Sequence, residues 1–202
     1  MYINSEKLIR QIYHDGVNLV NPVKEILKLK FPHEEITQYM ILNLIQVIDT
    51  LKNGRILAHL NENKSFENTN LKISEVIDEI INEIEDNYFF SSKKIIFTKD
   101  SEIEIYSNKL LLETLLYNLI HNAFRFGNSC IVSLDKNFVI IENTYTLEKS
   151  FSSIFDLPLK SDNFGITGSG LGLVAVKALI DLLSFNLKSI IDEKSVKVVL
   201  NF

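Results

Sequence analysis

Hydrophobic positions in the first third of the chain recur with a helical period. Apolar residues return every three or four positions from Glu6 to Lys30, and the same spacing resumes from Glu34 to about Asn61. This pattern predicts two amphipathic helices. The tripeptide Phe31-Pro32-His33 separates them, because proline lacks an amide N–H and disfavours helix in the residue before it. Two helices of similar length joined by so short a break predict an antiparallel hairpin.

The predicted hairpin has more apolar positions than two helices can bury against each other. Dimerisation of two hairpins into a four-helix bundle is the economical way to cover them, so we expect a homodimer. Gly16 and Pro22 lie inside the first predicted helix and weaken it locally.

The rest of the chain alternates between helical and strand-like patterns. The polar stretch from Asn61 to Asn70 predicts a linker, and Ser150 to Thr167 has no clear period, as expected of a loop. The predicted helices are Leu71–Glu85, Asn108–Phe126 and Leu171–Leu183, and the predicted strands are Lys94–Thr98, Glu102–Tyr106, Cys130–Leu134, Phe138–Glu142, Leu187–Ile191 and Val196–Phe202.

This order predicts an α+β protein in two domains. The expected organisation is a helical hairpin over residues 1–62, a linker over residues 63–70 and an α/β sandwich with paired antiparallel strands over residues 71–202.

Composition narrows the function classes. The chain has 202 residues, of which 46% are hydrophobic, and a formal net charge of −5. We expect no nucleic-acid partner, because such binding requires clustered Lys and Arg. No apolar stretch is long enough for a membrane span, and the charged, amphipathic first residues are unlike a secretory signal. Cys130 is the single cysteine, so a reducing, cytoplasmic location is expected.

Two motifs carry candidate chemistry. In the stretch NLIHNAFRF, Asn118 and Asn122 lie four residues apart and therefore on one face of a helix. About 45 residues later the segment GSGLGL places Gly168, Gly170 and Gly172 at the start of the helix predicted from Leu171. Glycines let the backbone approach an anion, and a helix start presents N–H groups to it, which is typical of phosphate binding.

In this order the two motifs resemble the N box and the second glycine box of the histidine-kinase ATP-binding domain, a GHKL-type fold. The resemblance implies that ATP and Mg²⁺ bind here. Asn122 would hold the metal, with Asn118 and Arg125 assisting on the phosphate side, and the segment of Gly168, Gly170, Leu171 and Gly172 would bind the phosphates. Mg²⁺ prefers oxygen ligands, which a side-chain amide supplies.

One family motif is incomplete. Between the two boxes the family carries Asp-x-Gly-x-Gly, whose aspartate accepts the adenine amino group, whereas this chain has FVIIENTYTLEKS. Asn143 would take the aspartate's place, with Glu142 as the alternative, and a neutral amide makes a weaker hydrogen bond than a carboxylate. Phe155 in SSIFDLPL resembles the family's phenylalanine box, and core packing is the alternative interpretation.

The phosphoacceptor motif allows two alignments. The family has a histidine, then an acidic residue, with a proline five positions after the histidine. Aligned on the histidine, His14 is the acceptor and Asp15 the acidic residue that orients or takes its proton, but Pro22 comes eight positions later. Aligned on Pro22, Val17 replaces the histidine and nothing can be phosphorylated. The remaining histidines are weaker candidates: His33 in the turn, and His59 and His121, both expected at the surface.

Three functions follow from the resemblance. The first is a histidine kinase core that phosphorylates His14 and passes the phosphoryl group to an aspartate of a response regulator receiver domain. The second is a histidine phosphotransferase with a decayed nucleotide site. The third is a non-catalytic pseudokinase that docks a response regulator, which the Val17 alignment favours.

Overall fold

The computed structural model describes residues 5–60, 66–144, 153–156 and 169–202, with no side chains described for residues 5–10 and 156. The chain forms two compact units. The first contains two long helices, and the second contains the sheets. Within the described part of the chain, no helix is long and apolar enough to cross a membrane.

The first unit contains an antiparallel pair of helices. Helix α1 spans Ser5–Lys30 and helix α2 spans Glu35–Leu60. Pro22 lies inside α1 without ending it. At Gly16 the two helices approach closely, since an added Cβ there would lie 2.7 Å from Leu51 Cδ1. The buried residues of α2 recur at helical spacing along the side facing α1, and they are Thr37, Ile41, Leu42, Ile45, Ile48, Asn53 and Ile56.

The second unit contains one two-stranded and one five-stranded sheet. The elements that follow α2 in chain order are β1 Thr69–Lys72, α3 Ile73–Asn87, β2 Ile95–Lys99, β3 Glu104–Ser107, α4 Lys109–Phe126, β4 Cys130–Asp135, β5 Phe138–Thr144, a 3₁₀ turn at Ile154–Asp156, α5 Leu171–Leu183, β6 Asn186–Ile191 and β7 Ser195–Asn201. Strand β1 pairs with β3, and the large sheet has the order β2-β4-β5-β7-β6. All its pairs are antiparallel except β2 with β4.

The large sheet is buried on one face. Alternate residues of its central strands are almost inaccessible, and they are Cys130, Val132 and Leu134 of β4, Val139, Ile141 and Asn143 of β5, and Val196, Val198 and Leu200 of β7. Helix α4 contacts β4 and β5, and α3 contacts β2. The core of the second unit therefore lies between these helices and one face of the sheet.

Side chains and backbone bonds complete the helix ends. Glu102 receives hydrogen bonds from the backbone N–H and the hydroxyl of Ser74, in the first turn of α3. Asn108 caps α4 by accepting from Leu111 N–H. Helix α5 ends in a Schellman arrangement around Ser184, which has a φ of 56°.

Most predicted elements are confirmed, and the α+β class is correct. The predicted linker and helix around Asn70 and Leu71 are wrong in detail, because residues 69–72 form β1 and α3 begins only at Ile73. The expected antiparallel pairing is wrong for β2, which is parallel to β4. The predicted loop from Ser150 to Thr167 lies outside the described residues except for 153–156.

Candidate functional site

Helix α4 carries both asparagines of the first motif, in different environments. Asn118 is buried and its Nδ2 donates to Thr114 O at 2.8 Å, one turn earlier. Asn122 is half-buried. The apolar face of α4 therefore fixes Asn118 in the core, and Asn122 one turn later is the more accessible carboxamide.

Arg125 lies in the last turn of α4 and is half-buried. Its guanidinium lies over the Phe126 ring, 4.9 Å from the ring centroid. A guanidinium stacked in this way keeps N–H groups directed outward around its plane, which suits an anionic ligand.

Asn143 lies against the C-terminal end of α4. It is 6% exposed and belongs to the buried face of β5. A Cβ added to Gly127, the residue that follows α4, would lie 2.6 Å from Asn143 Nδ2 and 2.6 Å from Ala123 O. The backbone N–H of Asn128 also donates to Thr144 O at 2.8 Å. The end of β5 and the end of the asparagine-bearing helix are therefore in direct contact.

Glu142, the alternative to Asn143, lies on the other face of β5. Its carboxylate pairs with Lys197 at 3.3 Å, and its side chain is 41% exposed. Successive residues of a strand point to opposite faces. Only Asn143 therefore faces α4.

The glycine segment begins helix α5. Gly168 lies outside the described residues. Gly170 has a φ of 76°, in the region that favours glycine. Leu171 begins the helix, and its N–H donates to Ser169 Oγ at 3.4 Å. Gly172 lies in the first turn. A helix start of this kind has backbone N–H groups that the helix itself does not use.

His14 lies on α1 within a hydrogen-bonded cluster of side chains. The His14 and Asp15 side chains are 71% and 54% exposed, and His14 Nδ1 lies 3.3 Å from Asp15 Oδ1. Asn18 Nδ2 lies 3.1 Å from Nδ1 and 3.2 Å from Nε2 of the imidazole. Gln11 donates to Asp15 at 2.7 Å. The hydrogen bonds from Gln11 and then from His14 lower the pKa of Asp15 below its usual value.

The other residues of the phosphoacceptor alignments are less suited to accept a phosphoryl group. Val17 has no reactive group and is half-buried, and Pro22 is exposed. His33 is exposed in the turn. His59 is half-buried.

The expected surface position of His121 is wrong. It is 5% exposed and its Nε2 lies 2.8 Å from the Tyr88 hydroxyl. It also contacts the Tyr117 ring, with centroids 5.1 Å apart. Helix α4 is buried around more of its circumference than the predicted apolar stripe, because β4, β5 and α3 all contact it.

Phe155 lies in the short 3₁₀ turn and is 36% exposed, whereas its neighbour Ile154 is buried. The alternative of core packing is therefore wrong for Phe155.

Several residues of the site were missed in the sequence. Gln11 and Asn18 lie one helical turn from Asp15 and His14, a spacing visible in the sequence. Gly127 had a weaker signal, a lone glycine after a helix. Tyr88 and Lys93 contact α4 from the segment between α3 and β2, and no signal in the sequence pointed to either residue.

Several solved structures with a similar fold are histidine kinases. The histidine kinase AdeS of Acinetobacter baumannii is 19% identical, with a TM-score of 0.57, over 92% of this chain and 94% of that one. Full-length ShkA in complex with AMPPNP is 16% identical, with a TM-score of 0.57, over 96% of this chain. The cytoplasmic segment of histidine kinase QseC is 16% identical, with a TM-score of 0.55, over 78% of this chain and 92% of that one.

The chain therefore shares with these histidine kinases a fold in which a helical hairpin is followed by an α+β domain. The chain spans 45% of the length of ShkA. Neither a protein-family model nor a curated protein sequence matches this chain.

Proposed function

We propose that this chain is the catalytic core of a two-component histidine kinase, which binds ATP with Mg²⁺, phosphorylates His14 and passes the phosphoryl group to a response regulator. The observation that carries the proposal is the His14 imidazole, exposed on the hairpin and flanked by Asp15 and Asn18. The fold supports it, since the histidine kinases AdeS and QseC are similar to this chain over 92% and 78% of its length.

The cluster on α1 is suited to a phosphoryl acceptor. The Asp15 carboxylate only accepts hydrogen bonds, which favours a proton on the facing Nδ1. Asn18 Nδ2, 3.2 Å from Nε2, then donates to the Nε2 lone pair and must release it before Nε2 can attack. Nε2 attacks the γ-phosphorus, the bond from that phosphorus to the β,γ-bridging oxygen breaks, and ADP leaves. The imidazolium then gives its Nδ1 proton to Asp15. Such a transfer depends mainly on position and charge neutralisation.

Each of the two motifs supplies candidate groups for a nucleotide. The half-buried Asn122 offers a carboxamide oxygen, a ligand type that Mg²⁺ accepts, and the ion would neutralise phosphate charge. Arg125 assists on the phosphate side, and Asn118 assists from the core, where its bond to Thr114 O supports the turn of α4 that carries Asn122. The segment of Gly168, Gly170, Leu171 and Gly172 would bind the phosphates. Asn143 accepts the adenine amino group. ShkA was solved with AMPPNP, which supports a nucleotide ligand.

A homodimer through the hairpin explains a row of exposed apolar side chains. On α1 they follow spacings of three, four and seven residues, the pattern of coiled-coil packing, and they continue on α2. They are Ile12, Leu19, Val23, Ile26 and Leu29, followed by Ile36, Tyr39, Met40 and Val47. The same hairpin, with His14 exposed, is where the receiver domain of the response regulator docks.

A second candidate function is a histidine phosphotransferase that receives its phosphoryl group from a partner. The neutral Asn143 favours it, because an amide is a weaker acceptor for the adenine amino group than a carboxylate. A pseudokinase without transfer is the third possibility, and the exposed His14–Asp15 pair opposes it.

The deciding experiment is incubation with γ-labelled ATP and Mg²⁺, scored for acid-labile, base-stable label. We expect label on the wild type, none on His14→Gln, and unchanged label on His33→Gln, which removes another exposed histidine of the hairpin. Label that survives in His14→Gln would exclude His14 as the acceptor. No label in the wild type with ATP bound would indicate a pseudokinase. No label and no ATP binding, with transfer from a phosphorylated partner, would indicate the phosphotransferase.

A further inference from the structure

A short segment between α3 and β2, residues 88–93, contacts α4 at two successive turns. We call it the brace. Tyr88, at its start, directly follows α3, and its backbone N–H donates to Ile84 O at 3.0 Å. Lys93, at its end, precedes β2 by two residues. Both ends of the brace are thus attached to regular structure.

Tyr88 contacts the turn of α4 that holds the two asparagines. Its hydroxyl lies 2.8 Å from His121 Nε2, and both side chains are buried. The Tyr88 ring also meets the Phe124 ring edge-on, with centroids 5.2 Å apart. His121 lies three residues after Asn118, so these two side chains share one side of α4, and Asn122 is the next residue of the same turn. A buried hydrogen bond at His121 therefore fixes the rotation of this turn about the helix axis.

Lys93 contacts the C-terminal end of α4. Its ammonium donates to Phe124 O and Gly127 O, and it lies 5.0 Å from the centroid of the Phe124 ring. A cation at this end of a helix satisfies carbonyls that the helix leaves unpaired and is favoured by the helix dipole. Burial lowers the pKa of Lys93.

The Cys130 thiol near Lys93 does not form an ion pair with the Lys93 ammonium. Burial raises the pKa of Cys130 to about 12, so this thiol stays neutral at physiological pH. The two carbonyls, one of them on Gly127, are thus the groups that hold the ammonium. Gly127 is also the residue that Asn143 contacts.

We infer that Tyr88 and Lys93 are positioning residues of the nucleotide site, acting through α4 without touching the ligand. Tyr88 sets the direction in which Asn122 presents its carboxamide oxygen to Mg²⁺. Lys93 sets the end of α4, and through Gly127 the place of Asn143 beside the base. The inference rests on the proposed function, because it assigns these roles to residues of that nucleotide site.

The two roles predict different losses on substitution. Tyr88→Phe removes only the hydroxyl and should reduce, by about fivefold, the gain in ATP affinity that Mg²⁺ provides, with metal-free ATP binding unchanged. Lys93→Met keeps the stem but removes charge and donors, and should weaken ATP binding about fivefold with and without Mg²⁺. Lys93→Arg should restore most of that affinity, because it keeps a cation and its donors.

The test is calorimetric titration of the full chain with ATP, in Mg²⁺ and in EDTA, below the temperature at which any variant unfolds. Lys94→Met is the matched control, since the adjacent Lys94 is exposed and pairs with Glu85 at 3.0 Å; its affinities should stay within about twofold of the wild type.

The inference would be overturned if both Tyr88→Phe and Lys93→Met bound ATP with wild-type affinity. It would also be overturned if both variants lost the same affinity in Mg²⁺ and in EDTA, and if that loss followed the fraction of folded protein. A wild type that binds no nucleotide would instead overturn the proposed function, and the role of the brace with it.

Discussion

Gly127 and Asn143 are in contact across the junction of α4 and β5, with no room for a methyl group between them. A Cβ on Gly127 would lie 2.7 Å from Asn143 Cβ and 2.6 Å from Ala123 O. The second of these atoms is backbone, which no rotamer change can move aside. Gly127 has a φ of −87°, so its requirement is for space and not for an unusual backbone conformation.

We therefore expect Gly127→Ala to destabilise the protein by about 1–3 kcal/mol, as overpacking does. Gly54→Ala is the control, since nothing lies within 4 Å of a Cβ at this position of α2 and alanine is the better helix former. It should stabilise the chain by up to about 1 kcal/mol. Urea unfolding of both variants measures the difference, and a Gly127→Ala protein as stable as the wild type would contradict the contact.

Asn143→Asp should sharpen the selection of the base. A carboxylate accepts more strongly from the amino group of adenine, whereas it has no donor for the 6-oxo group of inosine triphosphate, which an amide can serve. We expect the preference for ATP over inosine triphosphate to rise by about fivefold in competition titrations. A preference unchanged by the substitution would remove Asn143 from the base site. Asn128→Asp is the control, because it adds the same charge at the exposed residue after Gly127, outside the contact between Gly127 and Asn143.

Asp15→Asn tests the proton acceptor separately from the nucleophile. The amide keeps the size of the side chain but cannot take the Nδ1 proton, so autophosphorylation should fall by about 10²-fold or more while ATP affinity stays unchanged. Single-turnover labelling measures this rate. Gln11→Leu removes only a donor to Asp15 and should cost far less. A rate equal to that of the wild type in Asp15→Asn would show that the carboxylate is not needed.

A charge on the apolar row of the hairpin should prevent association. Leu29 is 80% exposed, and Leu29→Glu would place a carboxylate in the proposed interface. We expect a monomer by sedimentation equilibrium where the wild type is a dimer. Tyr106→Glu, at a residue of β3 that is 71% exposed, should leave the dimer intact. A monomeric wild type would refute the four-helix bundle.

Glu102 should make stability depend on pH in the acid range. Burial alone would raise its pKa, but hydrogen bonds from Lys99 and Ser74 outweigh burial and lower it to about 2. A carboxyl with a pKa lowered on folding contributes stability above its unfolded value near 4.5, which is lost as the pH falls toward 2.

The loss should be about 1–2 kcal/mol, allowing for solvent screening of a partly exposed ion pair. Urea unfolding at pH 7 and pH 3 should show it in the wild type, and Glu102→Gln should show less. Glu104→Gln, at an exposed position of β3, serves as the control. Equal acid sensitivity in Glu102→Gln and the wild type would exclude Glu102 as its source.

Local patterns in the sequence were enough to predict most helices and strands, because their burial is periodic. Helix α5 was predicted with its observed bounds, Leu171–Leu183. Strand β1 was missed because its four residues, TNLK, are mostly polar and exposed, and only pairing with β3 makes them a strand. The parallel pairing of β2 with β4 was also missed, since partner choice is a property of the whole sheet.

In the candidate site, too, local contacts could be predicted from the sequence, whereas contacts between distant segments could not. The alternation of β5 separates Asn143 from Glu142, but the sequence alone did not say which face meets α4. The burial of His121 depends on Tyr88, 33 residues earlier in the chain, so no local pattern revealed it. Contacts along one helix, such as Gln11 with Asp15, are the part of the site that spacing predicts.

Asn108 has a mechanical consequence for the way the chain enters the second unit. Its Oδ1 caps α4 by accepting from Leu111 N–H, and its Nδ2 donates to Glu67 O at 2.7 Å. Its neighbour Ser107 pairs with Thr69. A force that pulls the chain at Phe66 therefore acts on the first turn of α4 through the neighbouring Glu67 and its bond to Asn108. It does so before it acts on any strand of the large sheet. Tension at this point is transmitted directly to the helix that carries Asn118 and Asn122.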